Sequence, residues 1–286
     1  PTPINKYGAG AVTISTVGTT TQPINLYAGT LVIGGSGTLA GGAVTQYAGS
    51  TLNLTSTAGS RLGGRTLTMY GGDFNVSGAA AETTGALTIN AGPALLNNTS
   101  GNTLTVASIT RAVGGTALFK GGSAIVTTAA PTYIGQTGAT DTTNKGIYPW
   151  ALFDPGAGSG ASFATMNSAA TYTLRALNTG TEMATDAFTA NANILLTTTP
   201  AAVSAATSVN SLTLTAAGSG VTNAPGVTLT LLSGGILNTV ASTPGIGGGY
   251  LTAGANELIV NALGNITIGS TITGTGGLTK NGSGTL

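Results

Sequence analysis

Few side chains in this 286-residue chain are equipped for chemistry: seven carboxylates, eight Lys or Arg, and no His or Cys. Without imidazole or thiol there is no Ser-His-Asp triad, no Cys-His pair and no imidazole or thiolate metal site. What remains is a carboxylate pair acting on a glycosidic bond. The acids Asp73, Glu82, Asp141, Asp154, Glu182, Asp186 and Glu257 are scattered, and only Glu182 and Asp186 lie close in sequence. A repetitive scaffold gathers acids by placing them at matching positions of successive repeats, and here those positions carry Tyr, Thr and Gly. Calcium is as poorly served. Gly71-Gly72-Asp73-Phe74-Asn75 lacks the third glycine of a calcium-binding nonapeptide, and Asp141–Asn144 and Asp154-Pro155-Gly156 have ordinary turn chemistry. The expectation is no enzyme, no metal and no cofactor.

Recognition has one better candidate. Residues 131–190 hold seven of the fourteen aromatic residues and four of the seven acids. Within them Tyr148, Trp150 and Phe153 would offer a flat apolar platform to a sugar ring, with Asp154 as hydrogen-bond acceptor. The competing reading is that these aromatics form a small core, since they supply the most buried area per residue. A glycan or cell-surface ligand is the partner the first reading implies. Eight scattered cations and a net charge of +1 make no basic stripe, so nucleic acid is not expected. No apolar run is long enough for a membrane-spanning helix.

The elements that would position these residues follow from composition. Thr supplies 54 residues and Gly 47, against fifteen charged residues in all. Thr favours strands and Gly marks turns, so this is an all-β composition. Four segments share one pattern: Ile24–Leu31, Val44–Leu52, Leu67–Phe74 and Leu87–Leu95, with marker glycines Gly29, Gly49, Gly72 and Gly92 spaced by 20, 23 and 20. Gly234 and Gly254 repeat the 20-residue spacing later. A unit of this length, with short strands and Gly corners, predicts one coil of a parallel β-solenoid. A sandwich would lack the sustained register, and a propeller needs about twice the period. Tyr27, Tyr47 and Tyr70 share a coil position and should stack in a column. The predicted organisation is solenoid coils over 1–130, an aromatic and acidic elaboration packed on them over 131–190, and coils again over 191–286.

A ten-residue motif stands at both ends of the sequence. Lys6, Gly8 and Gly10 near the start match Lys280, Gly282 and Gly284, a constant offset of 274. The expectation is one long period of a larger repetitive protein, with Pro1 an internal or processed start. Gly277–Leu286, led into by Leu258–Ile268, resembles the strand repeat associated with bacterial autotransporter passenger domains. That resemblance implies a right-handed parallel β-helix, exported and displayed or released at the cell surface; the stiff rod that stacked coils would make is expected to serve as an outer-membrane-associated fibre, stalk or layer element. Neighbouring repeats of the same chain, or other copies meeting end to end or side by side, are the expected partners, because a stack of coils exposes unpaired strand edges at its ends. The resemblance implies no activity, because the repeat is a structural unit.

Overall fold

The computed structural model describes residues 2–156, 160–167, 171–198 and 201–286 of the chain, so Pro1 lies outside it. Every regular element among the described residues is a β-strand, and the strands stack into a parallel β-solenoid. The chain divides into two compact units. One comprises Pro1–Pro131, Phe153–Ser159 and Met166–Arg175; the other comprises Thr132–Leu152, Gly160–Thr165 and Ala176–Leu286.

In the first unit each coil contributes one short strand to each of two parallel sheets. The first sheet stacks Ile4–Lys6, Ile24–Leu26, Ala43–Tyr47, Thr66–Tyr70, Leu87–Ile89 and Ile109–Arg111. The second stacks Ala11–Ile14, Gly29–Ile33, Ser50–Leu54, Gly72–Val76, Gly92–Asn98 and Gly115–Lys120. Registers run like over like: Ile24 pairs Val44, Val44 pairs Leu67, and Leu67 pairs Leu87. Within a strand the residues alternate, so that Leu52 and Leu54 are buried while Asn53 between them is half-buried. The core is the stack of inward Leu, Ile and Val, with Phe74 and Phe119 in the same column as Leu52 and Leu96. A single coil has no such interior; only its neighbours above and below complete one.

Glycine is demanded at the corner between the two sheets. Gly29 has φ +72°, and a Cβ there would stand 2.3 Å from the Gly8 carbonyl oxygen of the coil before it. The marker glycines do not form a single column, however. Gly29 and Gly72 each align with Ser50, whereas Gly49 lies one residue before that position. Gly92 lies two residues before Ala94, the partner of Gly72. Corner lengths vary from coil to coil, so the strands hold the register and the glycines drift around it.

The third side of this unit is built in two ways. Glu82–Thr84, Leu104–Val106 and Ile125–Thr127 pair as parallel strands. The earlier coils have there the isolated bridge between Val17 and Thr38 and the bond from the Leu39 N–H to the Arg61 carbonyl, and two buried arginines add side-chain hydrogen bonds to carbonyls. Arg65 donates to the carbonyls of Thr20, Gln22 and Ala43 at 2.7, 2.7 and 3.1 Å. Arg61 donates to Ser56, Leu54 and Ala80 carbonyls and pairs with Glu82, Nε to Oε2, at 2.8 Å. Glu82 also accepts the backbone N–H groups of Arg61 and Leu62.

In the second unit the coils resume at Ala184–Thr185, earlier than the sequence pattern suggested. They continue through Asn193–Leu196, Thr207–Leu214 and Thr228–Asn238. The eleven-residue strand Thr228–Asn238 turns a corner: its first part pairs Tyr250–Thr252 and its second pairs Leu258–Ala262. A register shift between Val209 and Ser211 marks that bend. A second sheet stacks Ala201–Val203, Gly220–Asn223, Gly245–Gly247 and Thr267–Ile268.

Replacing Arg61 by Ala strands a fully buried carboxylate at Glu82. The expected cost is about 3–5 kcal/mol in urea unfolding, and the double variant Arg61→Met, Glu82→Leu recovers only the part due to the stranded charge, because the carbonyls of Leu54, Ser56 and Ala80 and the N–H groups of residues 61 and 62 lose their partners. An Arg61→Ala variant as stable as the parent would show that the pair contributes nothing to the third side.

Candidate functional site

The carboxylates do not converge. Glu82 is consumed by Arg61 and two backbone N–H groups. Glu182 is fully buried and accepts the N–H groups of Asp141 and Asn178 at 3.1 and 2.9 Å. Its neighbour in sequence, Asp186, is exposed and caps Thr197 through that residue's N–H and hydroxyl. Those two hydrogen bonds hold the Asp186 carboxyl below its ordinary pKa. Asp154 accepts the Gly156 N–H at 2.8 Å and stands 3.9 Å from the Lys120 ammonium. Asp141 accepts the Thr181 hydroxyl, and Glu257 accepts the Thr279 hydroxyl. Each caps a turn or staples an adjoining segment, and Glu182 meets Asp141 through the Asp141 backbone N–H. Among the described residues no three of His, Cys, Asp and Glu come together as a metal site would require.

The aromatic segment is placed differently from the platform described above. Tyr148, Trp150 and Phe153 retain only 3, 4 and 7 % of their exposure, and the strand Tyr148–Asp154 is buried along both faces up to its last residue. In the second unit Tyr148 packs between Tyr133 and Trp150, each ring centroid 5.3 Å away and tilted by 49° and 53°. These rings fill space; they present no flat face to a sugar. The reason lies in the coils beneath. Asn193–Leu196 and Leu258–Ala262 are buried at every position instead of alternating, so their outward side is covered as well. The cover is residues 132–152 and 160–165, and polar side chains fix it in place. Asn193 Nδ2 donates to the Lys145 carbonyl at 2.9 Å, and Asn210 Oδ1 accepts from the Gln136 N–H. Asn261 Nδ2 donates to the Pro149 carbonyl at 2.9 Å.

The chemistry that does repeat on the surface is phenolic. Tyr7, Tyr27, Tyr47 and Tyr70 stack along the first sheet with centroids 4.8, 4.7 and 5.2 Å apart and planes within 12° of parallel. The column expected from Tyr27, Tyr47 and Tyr70 forms, and Tyr7 extends it by one coil. Its signal was present in the shared Ile-Asn-x-Tyr of Ile4–Tyr7 and Ile24–Tyr27. Two residues before each Tyr the strands place Asn5, Asn25, Thr45 and Thr68, and Asn25 Nδ2 donates to Asn5 Oδ1 at 2.9 Å. The Tyr47 phenol is pushed above its ordinary pKa, by desolvation first and by the neighbouring phenols next. The matched end motifs also share a geometry: Lys6 Nζ donates to the Gly8 carbonyl at 2.7 Å and Lys280 Nζ to the Gly282 carbonyl at 2.6 Å.

No known protein family, curated protein or solved structure compared with this chain matches it.

Trp150→Ala should lower stability by about 3–5 kcal/mol, the loss expected of a core ring. A variant that keeps full stability would return Trp150 to the surface. Burial, and secondarily Tyr133, raises the Tyr148 phenol above its ordinary 10.0. The fold therefore holds the neutral phenol, and its contribution is intact below that value and lost as pH rises beyond it. Urea midpoints should fall from about pH 9 to about pH 11, and less steeply in Tyr148→Phe.

Proposed function

We propose that this chain is a structural β-solenoid of a bacterial cell surface, a rod element of a fibre, stalk or layer. The observation that carries the reading is where its polar side chains point. Four pairs hydrogen-bond their own equivalents one coil away: Asn25 with Asn5 at 2.9 Å, Asn75 with Asn53 at 3.0 Å, Thr88 with Thr110 at 3.1 Å, and Asn281 with Asn261 at 3.1 Å. A catalytic or binding protein directs polar groups toward a shared cleft. These pairs run parallel to the stack and reinforce it. The buried charges Arg61, Arg65 and Glu82 are likewise directed at backbone groups of adjoining coils. The resemblance of Gly277–Leu286 to the autotransporter-associated strand repeat favours display outside the cell, and absent cysteine is compatible with export.

Antibodies raised against the folded chain should label intact producing cells, and electron microscopy of the labelled material should show uniform elongated elements with a ~4.8 Å axial repeat. Labelling only after lysis, or compact particles free of any such repeat, sinks the reading.

A further inference from the structure

We propose that the column Tyr7–Tyr27–Tyr47–Tyr70 is a site of oxidative dityrosine cross-linking, a covalent staple between coils in a chain that has no cysteine. Three observations converge on this. The rings are fixed in contact along one line, with centroids 4.7–5.2 Å apart. Two directly bonded phenol rings have centroids only slightly closer than that. The bond joins ring edges, so joining neighbours needs rotation of the rings about their side-chain bonds and a local widening between the two coils, at positions that lie at or just past the ends of their strands. The column is also open to an oxidant at both ends, Tyr7 being 65 % and Tyr70 40 % exposed. Finally, all three of its ring pairs are near-parallel, whereas the other aromatic pairs among the described residues are tilted by 49° and 53° and involve Tyr148, which is buried.

The co-reactant is hydrogen peroxide acting through a haem peroxidase. Each of two adjacent phenols loses one electron and one proton, giving two phenoxyl radicals. These form one carbon–carbon bond between positions ortho to the oxygens. The proton on each coupled carbon then moves to the ring oxygen, restoring two aromatic phenols. The two electrons and two protons removed reduce one peroxide to two waters. Contact between the rings lets the oxidised site pass from Tyr7 or Tyr70 to the half-buried Tyr27 and Tyr47. Held neighbours couple far faster than separate molecules at micromolar concentration, because the encounter has already been made by the fold.

The test is to treat the folded full chain, at low micromolar concentration, with haem peroxidase and hydrogen peroxide. Dityrosine fluorescence is read first, and tryptic peptides of the monomeric band are then mapped by mass spectrometry. Cleavage after Lys6, Arg61, Arg65 and Arg111 puts Tyr7, Tyr27 and Tyr47 in one peptide and Tyr70 in another. A Tyr47–Tyr70 bond joins peptides 7–61 and 66–111; a bond within the first three leaves 7–61 lighter by two hydrogens. Both products are expected. Tyr47→Phe removes two of the three ring contacts, so the joined product disappears and fluorescence falls roughly threefold. Tyr250→Phe, at an exposed tyrosine outside the column, leaves the yield unchanged. Should Tyr47→Phe fail to fold, Tyr70→Phe serves, abolishing the joined product while the lighter 7–61 peptide persists. The proposal is overturned by cross-links found only between molecules or at Tyr172 or Tyr250. Oxidation of Tyr7 and Tyr70 without coupling, or an equal yield from the urea-unfolded chain, overturns it too.

Discussion

Parallel in-register pairing sets one residue above its equivalent about every 4.8 Å, and whatever a position carries is repeated at that spacing. Two like charges so placed repel by about 1 kcal/mol in water and by about 3–4 kcal/mol at an effective dielectric of 20. Amides, hydroxyls and rings gain from the same proximity, the first two through hydrogen bonds and the last by offset stacking. This one constraint accounts for the composition. In the second sheet Asp73 stands between Thr51 and Leu95, and Lys120 lies beside Asn97. In the first, Lys6 and Arg111 sit at opposite ends of a column whose interior is Leu26, Gln46, Met69 and Ile89. None of these columns stacks like charges, and fifteen charged residues in 286 is the consequence.

A solenoid that avoids charge on its sheets must still satisfy backbone groups where strand pairing fails. The third side of the first unit shows how this is resolved. Where Glu82–Thr84, Leu104–Val106 and Ile125–Thr127 pair, backbone meets backbone. In the earlier coils the guanidinium groups of Arg61 and Arg65 take over, each with several fixed donors aimed at carbonyl oxygens. An ammonium would supply fewer donors with less fixed geometry. Arginine is thus used as a surrogate strand edge, and Glu82, itself in the strand Glu82–Thr84, neutralises Arg61.

The repeat architecture was legible because its signal is redundant: the same Leu-Thr-x-Tyr or Ile-Asn-x-Tyr phrase recurs, and any two copies fix the period. The exposure of the middle segment was not. Seven aromatics in sixty residues are as consistent with a binding platform as with a core, and local composition holds no sign of which side is covered. That sign lay elsewhere, in Asn193-Ile-Leu-Leu196 and Leu258-Ile-Val-Asn-Ala262. Strands wet on one face alternate, as Ser50–Leu54 does; these two are continuous because both faces are dry. Arg61 and Arg65 were illegible for the opposite reason. A lone arginine in a glycine-rich turn reads as a solvated charge until the carbonyls around it are placed.

The covered face also explains why asparagine, and not more leucine, lies under the middle segment. A sheet face that meets irregular backbone must satisfy carbonyls and N–H groups that no ladder reaches. Asn carries both a donor and an acceptor on a short stem, so one residue type serves either need. Asn193 donates to carbonyls of Thr143, Lys145 and Glu182 while its oxygen accepts from Asn210 and Ser211. Asn261 donates outward to Pro149 and accepts from Asn281 on the next coil. The amide that elsewhere links coil to coil is here turned partly sideways, with one end still bound to the stack and the other holding the layer laid over it. Apolar substitution at these positions would keep the volume and lose the attachment, and that favours a polar residue in an otherwise dry interface.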